Sequence, residues 1–493
     1  MTNTFGAHLT VSAVEAGART ALVFEDRTWT YAELESAVRR TVARLDKYGV
    51  RGGDRVVMQG AARPEALITL FAVTRMGAVL VPLHPQVAGG ELAVVCEETS
   101  PVAVVAGEGF PTGTTGLRLA WEDLHPVGDD GPEAPLLDAP VGSDVAVIAF
   151  TSGTSGRPKG VALTHGNLCR SMAGGLAGMP SGADDTALIA TPLAHVAVLG
   201  GLPQVTWSRR GTVVLAPRFD PDLFVDLVRD HRVTCAFAVP AMSALLARHP
   251  RFGSGDLDTL RWILSGGSPA QTATREQFRA RGIGVVNSYG LTETSAGVTY
   301  SAPDESATST GSPVPEVELT VADAAGSAVP VGTPGEIWVR GPSVASAYWT
   351  AAGPVPVTDA EGWFHSGDRG RFDDEGRLTV VGRLKETIIT GGENVDPAEV
   401  ENALADFPGV VEVAVSGAPD PVWGEIVTAF LVTDADTDAD ADTGVPTLDD
   451  VRGHLDGRLA RHKWPRRLCV VPALPRGATG KLQRARLATL LND

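Results

Sequence analysis

The chain has 493 residues, 43% of them hydrophobic, and its 41 basic and 59 acidic side chains leave a formal net charge of −18. That length implies two to four domains at roughly 100–200 residues each. The acidic balance excludes the basic face of a nucleic-acid binder and a general attraction to anionic membrane surfaces.

From Trp29 the segment TWTYAELESAVRRTVARLDKYG reads as an amphipathic helix, with Thr30 as N-cap, Glu33 three residues on, and Gly49 near the stop. The short apolar runs RVVMQG, AVLVPLHP, PVAVVAG and DVAVIAF follow, separated by helical stretches such as RPEALITLFAVTRMG. The alternation resumes through GTVVLAP, DPDLFVDLVRDH, VTCAFAVP, AMSALLARHP, LRWILSGG and GVVNSYG. Such a pattern predicts an α/β fold with mostly parallel sheets buried on both faces. Beyond about Val314 the texture changes to VELTVAD, GEIWVRG and GRLTVVG, the pattern of a smaller β-rich subdomain. A helix is then expected from Pro397, followed by the strands VVEVAVSGA and EIVTAFLVT. Between Thr433 and Gly444, TDADTDADADTG is acidic and low in complexity and reads as a mobile surface loop. It lacks EF-hand spacing.

Cys96, Cys169, Cys235 and Cys469 are widely separated and form neither a disulfide framework nor a zinc site, as expected of core thiols in a reducing compartment. The start MTNTFGAHLT lacks the pattern of a secretory signal, and no apolar run nears the roughly 20 residues that span a bilayer. A cytoplasmic protein without membrane or nucleic-acid partners is expected.

Two features bear on chemistry. The chain has five lysines, Lys47, Lys159, Lys385, Lys463 and Lys481, so nearly all its positive charge is arginine. A lysine kept against that bias marks either a place where a compact ammonium is needed or chance placement on the surface. The second feature is AFTSGTSGRPKG, Ala149–Gly160, directly after an apolar strand. Its glycines and hydroxyl residues can cradle phosphate oxygens through backbone N–H groups, with Lys159 as a mobile point charge. It is not a Walker A loop, because Pro158 precedes the lysine and Gly160 follows it. A flexible Ser/Gly linker is the other reading, poorly suited to a place between a buried strand and a helix that starts at Thr164.

TSGTSGRPKG resembles the glycine-rich loop of the AMP-forming adenylating enzymes, which include acyl-CoA synthetases, the adenylation domains of peptide synthetases, and beetle luciferase. The resemblance continues in the family's order through MGAVLVPLHP, PLAHV, YGLTE, GEIWVRG, WFHSGD, GRLKETIITGGENVDPAEVE and PRGATGKLQR, and so spans nearly the whole chain. It implies an α/β fold: a large N-terminal domain of two mostly parallel α/β subdomains plus a small β-rich subdomain, then a small mobile α+β C-terminal domain. The expected division is residues 1–383, binding ATP and acid, and 384–493, with the hinge at Lys385.

The implied reaction joins a carboxylate to the α-phosphate of ATP, expels pyrophosphate, and passes the acyl group from acyl-AMP to a thiol. By resemblance the nucleotide is held by Thr151, Ser152, Gly153, Thr154, Ser155, Gly156 and Lys159, by Ser288, Tyr289, Gly290, Leu291, Thr292 and Glu293, and by Asp368, Arg383 and Lys481. Within that set Tyr289 is expected to stack on adenine and Asp368 to accept from both ribose hydroxyls. Arg383 is the second contact to ribose or phosphate. Lys481 bridges the acid and the α-phosphate, and with Glu293 and Lys159 forms the catalytic set. Glu293, with Thr154, is the implied ligand of Mg²⁺. The acid is expected against His195, Val196, Leu199, Val239, Ser265, Gly266, Gly267, Gly290 and Thr294. The thiol is expected to pass Gly391, Gly392 and Glu393.

That lining is small or apolar and lacks a counter-charge, which points to a fatty, branched or aromatic acid; His195 is either a gate or a packing residue. Amino-acid-activating relatives place an Asp near PLAHV, and none is found; Val196 stands where enzymes for 2-hydroxybenzoates tend to carry Asn. GGENV is the form typical of acyl-CoA ligases, so CoA is the expected acceptor, and the phosphopantetheine of an acyl or peptidyl carrier protein is the alternative. The stretch from Arg452 to Arg486 is basic and would suit CoA phosphates or an acidic carrier; a solvated helix face explains it equally well.

Overall fold

The computed structural model describes residues 4–493 except 88, 108–115, 127–130, 136–139, 152–157, 268–271, 306–307, 434–445, 478–481 and 492–493. The acidic stretch after Thr433 therefore lies outside the described residues.

Alternating apolar runs and helices build two large sheets. One has nine strands, its middle formed by the parallel neighbours Gly284–Leu291, Trp262–Gly266, Cys235–Phe237, Thr186–Ile189, Thr212–Leu215 and Thr20–Phe24. The other has eight, with Val145–Thr151, Val79–Leu83, Arg55–Gln59, Ala103–Ala106 and Leu117–Ala120 parallel. Parallel strands need helical crossovers that cover both faces, and the strand Val79–Leu83 is accordingly buried at every position. A single large core joins both sheets, with Leu22, Val56, Leu80, Val147, Ile189 and Val213 in one cluster. The first predicted helix forms at Tyr31–Lys47 with a reciprocal Thr30–Glu33 capping box.

The glycine-rich segment departs from expectation in one respect. The chain does not pass from it directly into a helix but first makes the strand Lys159–Thr164, antiparallel to Val145–Thr151 with Thr151 opposite Lys159. The segment thus connects two hydrogen-bonded neighbours, and the helix His165–Gly178 starts after that, capped by Thr164.

The β-rich region forms a four-stranded antiparallel sheet in the order Glu318–Ala322, Gly335–Arg340, Phe364–Phe372 and Leu378–Arg383. Its core, with Val321, Ile337, Val339 and Phe364, also takes in Tyr289 from the nine-stranded sheet. The last sheet pairs Val410–Asp420 with Gly424–Thr433 over ten registered positions, adds Arg467–Val470 in parallel, and packs the helices Pro397–Leu404 and Leu448–Leu455 around Val400, Leu404, Val427 and Leu455. This is the α/β architecture with a small α+β unit at the C-terminal end. Arg369 and Asp396 pair at 3.1 Å between the four-stranded sheet and this unit, and Arg248 donates to the Val411 carbonyl at 2.8 Å. No helix among the described residues is long and apolar enough to cross a membrane.

Candidate active site

Strand register explains the best-formed part of the site. Phe364–Phe372 and Leu378–Arg383 run antiparallel with Asp368 opposite Arg383, and directly opposed residues on one face meet. Arg383 Nε lies 3.1 Å from Asp368 Oδ1, and the buried Tyr289 hydroxyl donates to Asp368 Oδ2 at 3.0 Å. Asp368 is 6% exposed and Tyr289 7%. Burial, and next the Asp368 charge, push the Tyr289 phenol well above its ordinary range, so it stays a donor. The Tyr289 ring packs against the core of the small sheet, and its hydroxyl holds one oxygen of Asp368.

YGLTE leaves the strand Gly284–Leu291 through a tight turn. The short 3₁₀ helix Thr292–Thr294 carries Glu293, and Ser295 follows with φ 65°. A Cβ on Gly290 would lie 1.9 Å from the Ala296 carbonyl oxygen, so the turn admits no side chain there. Thr294 Oγ1 closes the turn, donating to Ala296 O at 2.8 Å and accepting from Leu291 N at 2.9 Å. Ala345 N donates to the Glu293 carbonyl at 2.7 Å. Ser288 and Thr292 are half-buried beside these groups.

Sequence reasoning missed Tyr348. The strand Ala347–Trp349 pairs with Lys159–Thr164, placing Tyr348 opposite Val161. Its hydroxyl donates to Glu293 Oε1 at 3.1 Å, and the Lys159 ammonium stands 5.4 Å from its ring centroid, within reach of a cation–π attraction. Burial and then Glu293 raise the Tyr348 phenol above its usual range. Lys159, Tyr348 and Glu293 thus form a second cluster, on segments far apart in sequence. Ser152, Gly153, Thr154, Ser155 and Gly156 of the expected phosphate loop lie outside the described residues, as does Lys481. Thr151 is half-buried at the mouth of that loop.

The expected acid-binding residues divide. His195 caps the four-residue helix Val196–Leu199 and is half-buried with Val196, Val239 and Gly290. Its ring lies 6.4 Å from that of His84, edge to face; burial holds His84 below the ordinary imidazole range. His84 sits within MGAVLVPLHP, but the sequence offered no reason to single it out. Leu199, Ser265, Gly266 and Thr294 are buried, and Leu199 belongs to the main core; neither Leu199 nor Thr294 presents surface to solvent. Gly267 is exposed, with φ 85°.

Directly after the last strand of the four-stranded sheet, Lys385 is exposed in the 3₁₀ turn Leu384–Glu386. Gly391 donates to the Trp423 carbonyl at 2.9 Å and lies against the Trp423 ring; Gly392 and Glu393 are exposed. Several basic residues of the C-terminal stretch pair within the fold. Lys463 pairs with Glu399 at 2.6 Å, Arg458 with Asp406 at 2.8 Å and Arg476 with Glu412 at 2.7 Å. Arg484, three residues beyond Lys481, is clamped between Glu386 at 2.9 Å and Glu401.

Comparison with known proteins bears on this arrangement. The profile of the family described as AMP-binding enzyme matches residues 9–349, and that of the AMP-binding enzyme C-terminal domain matches 399–481. A feruloyl-CoA synthase of an Amycolatopsis species is 38% identical over 463 residues, covering 92% of each chain. An indoleacetate–CoA ligase of Aromatoleum aromaticum is 35% identical over 489 residues, covering 94% of each. Among solved structures, o-succinylbenzoate CoA synthetase of Bacillus subtilis, in complex with the acyl-adenylate intermediate OSB-AMP, superposes with a TM-score of 0.85 at 31% identity, covering 97% of each chain. The same enzyme is known in complex with ATP and magnesium ion. Fold and site therefore define an enzyme of the AMP-forming acid–thiol ligase class. The chain belongs to the AMP-binding enzyme family.

Proposed function

We propose that this enzyme activates an aromatic or other largely apolar carboxylic acid with ATP and transfers the acyl group to CoA. The observation that carries the reading is the pair of polar clusters, Tyr289–Asp368–Arg383 and Lys159–Tyr348–Glu293, assembled from five separate segments beside the turn of YGLTE. A carboxylate offers about four acceptor sites, so Asp368 can serve ribose hydroxyls as well as Tyr289 and Arg383. Lys159 supplies positive charge for the outer phosphates.

In the first step the acid's carboxylate oxygen attacks the α-phosphorus, the bond from that phosphorus to the bridging oxygen breaks, and pyrophosphate leaves. The reacting groups are both anionic, so positioning and cations dominate the catalysis; Lys481 is assigned to the acid and the α-phosphate. In the second step the CoA sulfur attacks the acyl carbonyl, the thiol gives up its proton, and AMP leaves. Magnesium fits the donor set, since Mg²⁺ sites in such enzymes take one or two carboxylates plus substrate phosphates and Glu293 offers one carboxylate. It would be held by Glu293 and the triphosphate, and when bound it offsets phosphate charge.

We take residues 1–383 as the large domain and 384–493 as a small domain that reorients about Lys385, so that Lys481 serves the first step and the Gly391–Gly392 loop the second. Hinge rotation at a few backbone positions is ordinary. The half-buried His195, Val196 and Val239 supply a lining without a carboxylate or guanidinium, and the feruloyl and indoleacetate enzymes support an aryl-substituted acid. Transfer to a carrier-protein phosphopantetheine is the alternative. The test is a panel of arylacrylic, arylacetic and fatty acids, each assayed with CoA and with a carrier protein. Thioester with CoA from an aryl acid is expected; thioester on the carrier protein alone overturns the acceptor, and activity confined to charged acids overturns the substrate class.

A further inference from the structure

Tyr348 touches both charged groups that the nucleotide reading needs at the phosphates. We propose that it is a positioning residue for ATP: its hydroxyl orients the Glu293 carboxylate toward the metal of MgATP, and its ring face holds the Lys159 ammonium toward the outer phosphates. This rests on the ligase reading above. The hydroxyl donates to Glu293 Oε1 at 3.1 Å, and a carboxylate held in this way would keep acceptor capacity for a metal. The ring centroid lies 5.4 Å from Lys159 Nζ.

Both contacts follow from one strand. The segment that leads to Tyr348 is tied down by Asn167, whose Nδ2 donates to the carbonyls of Pro342 and Val344, each at 2.9 Å. The Ala345 N–H binds the Glu293 carbonyl at 2.7 Å. Beyond Tyr348, Trp349 Nε1 donates to the Glu98 carbonyl at 3.0 Å. The strand is therefore anchored on both sides of the tyrosine, and antiparallel pairing with Lys159–Thr164 sets its register against Lys159. A half-buried side chain held this firmly restricts two flexible charged partners at once, which is how supporting groups raise the effectiveness of the residues they orient.

The two contacts separate by substitution. Tyr348→Phe removes the hydroxyl and keeps the ring; Tyr348→Leu removes both. Calorimetric titration of the full chain with ATP, without acid, across a magnesium series reads each contact apart from turnover. Tyr348→Phe should raise the magnesium concentration that half-restores ATP binding by about tenfold or more, the loss of one hydrogen bond to a charged group, with ATP affinity at saturating magnesium within about twofold of wild type. Tyr348→Leu should further weaken ATP binding at saturating magnesium by about three- to fivefold, a cation–π-sized loss. That further loss should vanish in a Lys159→Ala background, just as the Tyr348→Phe effect should vanish in Glu293→Gln. An unchanged magnesium midpoint in Tyr348→Phe, or additivity in either double variant, overturns the proposal while leaving the ligase reading intact. A wild-type chain that does not bind ATP overturns both.

Discussion

Replacing Asp368 with asparagine perturbs nucleotide recognition with almost no change of shape. The carboxylate is 6% exposed and accepts from the Tyr289 hydroxyl at 3.0 Å. Asparagine keeps one acceptor oxygen, enough for Tyr289, but its NH₂ group accepts nothing. The pairing with the exposed Arg383 is worth little, because solvent screens such contacts. Hydrogen bonds to a charged acceptor contribute ~1.5–3 kcal/mol each. At the lower figure, two ribose hydroxyls on Asp368 amount to ~3 kcal/mol, and the loss of half the acceptor capacity costs ~1.5 kcal/mol, a factor of about ten in affinity. Isothermal titration should show wild type preferring ATP to 2′-deoxy-ATP by about tenfold, and Asp368→Asn binding ATP about tenfold more weakly with that preference reduced below about threefold. A variant that loses affinity but keeps the full preference would refute ribose recognition by Asp368 and leave it a prop for Tyr289.

Lys481→Ala should lower acid-dependent ATP–pyrophosphate exchange by about 10²–10³-fold, the scale of one lost charge stabiliser at a reacting centre, while thioester formation from supplied acyl-AMP stays within about threefold. Equal losses would contradict the division of labour between the two domain orientations. Gly391→Ala places a Cβ at 2.6 Å from the Trp423 ring, at a residue whose φ is 59°; stopped-flow measurement of CoA acylation should slow by at least about tenfold, with pyrophosphate exchange nearly unchanged. Asp396→Asn weakens the pairing with Arg369 between the four-stranded sheet and the C-terminal unit, so on the proposed domain movement the ratio of the two half-reaction rates should shift by about threefold or more, and an unaltered ratio would show the pair to be inert in that movement.

Much of this architecture was legible because its causes are local. Thr30 and Glu33 announce a helix start by chemistry that operates within four residues, and the apolar runs from Arg55 to Phe150 mark strands by their burial on both faces. The strand Lys159–Thr164 was harder to see. Its apolar residues run directly into the helix that Thr164 caps, and nothing local separates a short strand from the lead into a helix. The cluster of Asp368 and Arg383 was visible as motif residues, yet only strand register shows that they oppose each other. Tyr348 was illegible for a physical reason: it precedes no motif residue, its neighbours are alanine and tryptophan, and its partner Glu293 lies 55 positions away. The bond from the Tyr289 hydroxyl to Asp368 was hidden for the same reason, since the two residues lie 79 positions apart.

The rare lysines also sort by structure. Lys159 faces Tyr348, Lys385 stands exposed directly after the four-stranded sheet, and Lys463 is bound to Glu399 in a pair that serves the small unit. Lys47 ends the first predicted helix, where a positive charge favours the terminal carbonyls.

The central claim is that this chain makes an acyl-adenylate before it makes a thioester. The most direct measurement is ATP–pyrophosphate exchange with an aryl carboxylic acid in the absence of CoA, followed by addition of CoA. The account predicts exchange that depends on the acid and on magnesium, then conversion to the CoA thioester with release of AMP. Exchange that appears only once CoA is present, or that no acid in the panel elicits, would contradict it.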